Sequence, residues 1–132
     1  MSRILIVCTS WYEDHLKKMI QISKTSLESE YDVQFLTAPG AIELAALAKN
    51  SLSKEKFSGI LFLGIIIRGE TSHYDLVSQE TFRSIGNLAL EYPDKAFINN
   101  VICIENETQL IERIEKNTIN NCNALKSLIH EK

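Results

Sequence analysis

The sequence predicts an α/β fold: a three-layer sandwich in which a four-stranded parallel sheet carries helices on both faces. Three observations predict it. Short, continuous apolar blocks rich in β-branched residues recur along the chain, as in strands buried on both sides of a parallel sheet. Between them apolar residues return every three or four positions, the period of a helix with one buried stripe. Breakers such as Pro39-Gly40 and Pro93-Asp94 punctuate the blocks. Alternating strands and helices fold by right-handed crossovers into one layered unit, and a chain of 132 residues suits a single domain, 1–132.

The first strand is Ile4 to Cys8. Leu16, Met19, Ile20, Ser23 and Leu27 then recur at helical spacing, with Glu13 and Asp14 in the first turn, where negative charge suits the helix dipole. Val33 to Thr37 reads as the second strand. Pro39-Gly40 ends it before Ala41, Leu44, Ala45 and Ala48 begin another helix. Phe57 to Ile67 holds the third strand, and Val77, Thr81, Ile85, Leu88 and Tyr92 form the stripe of the helix after it. Ala96 to Ile104 gives a fourth strand broken by Asn99-Asn100. Leu110, Ile111 and Ile114 then mark one helix, and Cys122, Leu125, Leu128 and Ile129 a last one.

Composition excludes several classes. The longest apolar stretch is too short to cross a bilayer, and Met1 to Cys8 lacks the length and cleavage site of a signal peptide, so a cytoplasmic location is the default. Cys8, Cys103 and Cys122 are odd in number and lack paired ligand spacing, which predicts reduced packing residues, with no disulfide framework and no metal site. A formal charge of −3 leaves no footprint for nucleic acid, although a local arginine can still hold a small anion.

Ligands of parallel sheets gather at the strands' carboxyl ends. Four segments meet that rule: Thr9 to Tyr12, Ala38 to Glu43, Arg68 to His73 and Asn99 to Glu105. The third says most about chemistry. An apolar strand runs into Arg68, Gly69, Glu70, Thr71, Ser72 and His73, and a helix follows. Backbone N–H groups at that helix start can hold an anion such as phosphate. A neighbouring imidazole can take and give a proton near neutral pH, so His73 beside the anion points to proton transfer on a phosphorylated substrate. His15 and His130 lack such a setting and read as ordinary surface or core histidines.

The loops also carry a resemblance. Ala38-Pro39-Gly40-Ala41-Ile42-Glu43-Leu44 is similar to the PGAFE loop of 6,7-dimethyl-8-ribityllumazine synthases, and Gly64 to Asp75, GIIIRGETSHYD, resembles their G-x-V-I-R-G-x-T-x-H-[FY]-D stretch. Glu105 to Arg113 is similar to their E-Q-A-x-x-R helix, with Leu110 in place of the Ala. The resemblance covers nearly the whole chain.

The resemblance implies a flavodoxin-like sandwich and a step of riboflavin biosynthesis. That step condenses 5-amino-6-ribitylaminouracil with 3,4-dihydroxy-2-butanone 4-phosphate, releases phosphate and water, and uses no cofactor or metal. By matched position it makes His73 the acid/base. Gly69, Glu70 and Thr71 become the phosphate cradle, with Arg113 reaching the same anion from a neighbouring subunit. Trp11, where the family usually has Phe, becomes the stacking surface for the heterocycle. Ala41, Ile42 and Glu43 meet the ribityl chain, while Ile66 and Ile67 contact the ring and Asn99 stands at a position that commonly lines the pocket with an aromatic. It further implies a homo-oligomer, a pentamer or a multiple of pentamers, with sites between subunits.

The chain departs from the family at Ser10 and Tyr12, which replace the usual Arg and Asn, and at Asn99. It also starts almost at the first strand, without the leading segment of many members. Trp11 together with the altered Ser10, Tyr12 and Asn99 leaves open a non-catalytic flavin- or lumazine-binding shell protein. A flavodoxin-like regulatory domain leaves the third-strand motif and Arg113 unexplained. For Arg113 itself, a solvated arginine pairing with acidic neighbours is the simpler reading of the residues alone.

Overall fold

In the computed structural model, which describes residues 1–69 and 72–132, strands and helices alternate as the sequence predicts. The strands are β1 (Arg3–Thr9), β2 (Asp32–Ala38), β3 (Gly59–Ile67) and β4 (Ala96–Ile104). The helices are α1 (Glu13–Leu27), α2 (Leu44–Leu52), α3 (His73–Glu91) and α4 (Glu107–Glu131), and a 3-10 turn, Ala41–Glu43, leads into α2. All pairings are parallel, in the order β2-β1-β3-β4.

That order fixes the layers. The crossover from β1 to β2 runs one way along the sheet, and those from β2 to β3 and from β3 to β4 run the other. Because crossover hand is nearly invariant, reversing the direction moves the helix to the opposite face. Accordingly α2 and α3 pack on one face and α1 on the other, where α4 joins it. Alternate side chains of β1 divide between the two cores: Ile4, Ile6 and Cys8 pack with Leu16, Met19, Ile114 and Leu125, whereas Leu5 and Val7 pack with Leu44, Ala48, Ile85 and Leu88. The direction reverses between β1 and β3, so their carboxyl ends open the crevice in which such sheets bind ligands.

Two expectations are corrected. Asn99-Asn100 does not break the fourth strand, which is continuous from Ala96 to Ile104. Asn100 is buried but has partners on α4, donating to Thr118 Oγ1 at 3.0 Å and accepting from Asn121 Nδ2 at 2.6 Å, while Asn99 Oδ1 accepts from the Val101 N–H. A polar residue satisfied in this way costs the strand little. The last two helices are one helix of 25 residues. Thr118 supplies the missing buried turn between Ile114 and Cys122, and Ile111, expected in the stripe, faces solvent instead. Among the described residues no helix is long and apolar enough to cross a membrane.

Candidate active site

Three loops converge at the crevice. At the end of β1 the chain turns through Tyr12, whose φ of 58° and ψ of 54° lie in the left-handed region that most residues avoid. This turn starts α1 and leaves Trp11 64% exposed at the surface. The indole is nevertheless tied down, because Nε1 donates to the Pro39 carbonyl at 3.0 Å and so bridges the loop after β1 to the loop after β2.

Gly40 makes room for this arrangement. A Cβ there would lie 3.0 Å from Glu43 Oε1 and 4.0 Å from Trp11 Nε1, a separation from the carboxylate that would force it to move. The Glu43 carboxylate therefore folds back beside the indole. As the residue before α2, it also carries negative charge at the helix end that favours it.

The third loop leaves β3 at Ile67 and enters α3 at His73. Arg68 holds its two ends. Its Nε donates to Glu105 Oε2 at 2.6 Å, its Nη2 to Asp75 Oδ1 at 3.0 Å, and its guanidinium lies 4.4 Å from the centroid of the Tyr74 ring. The hydrogen bond to Asp75, above all, raises the Arg68 guanidinium beyond its ordinary range. Burial pushes the Tyr74 phenol up. The same cause takes the nearby Cys103 thiol to about 11, and raises Cys8 and Cys122 as well, as befits packing residues.

These loops enclose a cavity of about 390 Å³. It brings together Trp11, Ala41, Ile42 and Glu43 from the first two loops with Ile66, Ile67, Gly69 and His73 from the third. Eight residues singled out in the sequence thus share one cleft. Glu70 and Thr71, the rest of the expected phosphate cradle, lie outside the described residues.

Arg113 and Asn99 are not among the lining residues. Arg113 is exposed on α4, and Asn99 is half-buried within β4, opposite Phe62 of β3. The fourth expected loop shrinks to Glu105 and Asn106, because β4 continues to Ile104.

Tyr12, Gly40, Ile65, Tyr74 and Val77 also line the cavity and were not foreseen as site residues. Val77 could have been found from His73 by helix geometry, being four residues further along α3, whereas Tyr74, the next residue, could not. The sequence places Tyr12 in the loop after the first strand, but its left-handed backbone is not written in residue type.

Chemically, the cleft offers an indole face, an exposed carboxylate, apolar strand ends and an imidazole at a helix start. That set suits a flat heterocycle with a polyhydroxyl tail beside a site of proton transfer. Comparison with known proteins agrees. The family model described as 6,7-dimethyl-8-ribityllumazine synthase matches residues 1–129. Relatives bearing that name include one from Erythrobacter litoralis, 37% identical over 117 residues that cover 87% of this chain and 81% of the relative. One from Neisseria meningitidis is 34% identical over 118 residues, covering 86% and 74%. One from Novosphingobium aromaticivorans is 34% identical over 117 residues, covering 87% and 82%. Matches that span this much of both partners, together with the cleft, place the chain in the 6,7-dimethyl-8-ribityllumazine synthase family.

Proposed function

We propose that this chain condenses 5-amino-6-ribitylaminouracil with 3,4-dihydroxy-2-butanone 4-phosphate, giving 6,7-dimethyl-8-ribityllumazine, one phosphate and two molecules of water. The observation that carries the assignment of roles is the convergence of Trp11, Glu43, Gly69 and His73 on one cleft. Family membership carries the reaction type, a transferase step of riboflavin biosynthesis.

In this reading the indole of Trp11 stacks on the pyrimidine, and Ile66 and Ile67 meet the ring from the floor. Ala41, Ile42 and Glu43 hold the ribityl chain, whose hydroxyls donate to the Glu43 carboxylate. Gly69, Glu70 and Thr71 offer backbone N–H groups to the phosphate at the start of α3. The amine of the pyrimidine attacks the substrate carbonyl and forms the imine as water leaves, so the nitrogen chemistry is the substrate's own. His73 moves the protons. Holding two reactants in register can supply about 7 to 11 kcal/mol in ideal cases, so positioning carries much of the acceleration.

Arg113 and Asn99 stand away from the cleft of their own chain, which supports a site completed by a neighbouring copy. There Arg113 grips the phosphate with its planar fork and Asn99 faces the heterocycle. The assembly in this reading is a homopentamer or a multiple of pentamers, and it works in the cytoplasm.

The test is to mix the protein with both substrates and follow lumazine fluorescence against a protein-free control, because the condensation has a background rate. Saturable acceleration that fails when either substrate is omitted is the expected result. A rate equal to background, with riboflavin quenching the fluorescence of the single tryptophan, would instead leave a binding protein on the same fold.

A further inference from the structure

The arginine between the third strand and His73 lies beside the expected phosphate cradle, yet it turns Nε and Nη2 toward carboxylates. Arg68 sets Nε against Glu105 at 2.6 Å and Nη2 against Asp75 at 3.0 Å, and stacks on Tyr74 at 4.4 Å. Two carboxylates and one guanidinium leave the cluster with a net negative charge, unfavourable for receiving phosphate directly. The three partners come from two places. Tyr74 and Asp75 belong to the first turn of α3, directly after His73, and Glu105 follows the end of β4. The Arg68 backbone N–H also donates to the Ile104 carbonyl at 3.0 Å.

Beyond Glu105 the linkage continues into α4. The Glu105 N–H donates to Gln109 Oε1 at 2.8 Å, and the Gln109 N–H donates to the side chain of the N-cap residue, Asn106 Oδ1, at 3.2 Å, so Gln109 ties both residues before the helix that carries Arg113 to its first turn. One planar guanidinium thus ties the residue after β3 to the first turn of α3 and to the neighbouring strand end and helix cap.

We infer that Arg68 is a positioning residue for the condensation: it fixes the first turn of α3, and with it the imidazole of His73, against the end of β4. This rests on the reading of His73 as the acid/base. Only a planar fork can meet two carboxylates while lying flat on a ring, so lysine cannot substitute. Displacing a reacting group by about 1 Å can cost up to about 10²-fold in rate, and this clasp determines such a displacement.

The experiment compares unmodified protein with Arg68→Ala, Arg68→Lys and Glu105→Gln by steady-state kinetics and by the ring-proton resonances of isotope-labelled histidine. The expected result is a fall in kcat of about 10-fold or more for both Arg68 variants, with KM for either substrate changed far less. The His73 resonance should move while those of His15 and His130 stay. Glu105→Gln, which cuts one exposed contact and leaves the rest, should show the same pattern at about 3-fold in kcat and keeps the inference testable if an Arg68 variant does not fold. Full turnover in Arg68→Lys, or a His73 resonance unmoved in every folded variant, overturns the inference. If the unmodified protein gives no acceleration, the proposed reaction falls, and the His73 resonance alone then decides whether Arg68 positions it.

Discussion

The two walls of the cleft are held by different forces. On the Trp11 side the contacts are neutral and steric: an indole N–H on the Pro39 carbonyl, and Gly40 leaving room for Glu43. On the His73 side they are ionic, with one guanidinium between two carboxylates. A neutral bond at a surface is little affected by salt, whereas an exposed ion pair weakens as ionic strength rises. The first wall therefore offers a fixed surface for an uncharged ring. The second carries His73 at the start of α3, beside a cluster held together by charge.

Breaking the second wall at its chemical centre should have the largest effect. His73→Ala is expected to slow lumazine formation by about 10²-fold or somewhat less, since acid/base help is worth about 10² to 10⁴ and the substrates also react unaided. Unchanged turnover removes His73 from the mechanism. Next comes the anion. Arg113→Ala should raise KM for the phosphate substrate by about 10-fold while KM for the pyrimidine changes far less, as loss of a charge-assisted contact to one reactant predicts. Equal changes would make Arg113 structural.

On the first wall, Trp11→Ala should raise KM for the pyrimidine by about 10-fold, the loss of a stacking face worth about 1 kcal/mol or slightly more. Trp11→Phe should cost only about 3-fold, because the ring survives and only the bond to Pro39 is lost. If Phe is as damaging as Ala, the bond rather than the ring makes the wall. Gly40→Ala should fall between them, since its Cβ would push against Glu43 Oε1 at 3.0 Å.

The sequence disclosed most of the fold because local pattern and global packing agree for most elements. Strands β1, β3 and β4 are rich in Ile and Val, and Leu16, Met19, Ser23 and Leu27 mark one face of α1 as the structure has it. Legibility failed where a polar residue does an apolar residue's work. Thr118 fills a turn of the α4 stripe, and Asn100 sits in the core through its bonds to that helix, so a count of apolar residues alone saw one helix as two and one strand as broken. In the cleft, residue type revealed Trp11, Glu43 and His73. It could not reveal what Arg68 touches, because its carboxylate partners lie seven and 37 positions away in the chain.

The smallest effect sharpens the comparison by asking whether the two walls open separately, and the thiols report it. Cys103 lies on β4 in the core that also holds Tyr74, and burial pushes its pKa up to about 11. Burial likewise raises Cys8, at the end of β1 just before the Trp11 loop. Alkylation needs the thiolate, and a raised pKa keeps a thiol protonated until the pH approaches it. At pH 8 about one part in 10³ of Cys103 is therefore ionised, and its labelling should be slower than that of a free cysteine by about 10²-fold. Raising the pH should speed it by about 10-fold per unit until the thiol titrates. In Asp75→Asn, which removes one carboxylate from Arg68, labelling of Cys103 should accelerate by about 2- to 3-fold, as loss of an exposed pair worth a few tenths of a kcal/mol allows, with Cys8 unchanged. Trp11→Ala should do the reverse. Joint acceleration in either variant would mean that the walls, though built from different forces, open as one unit.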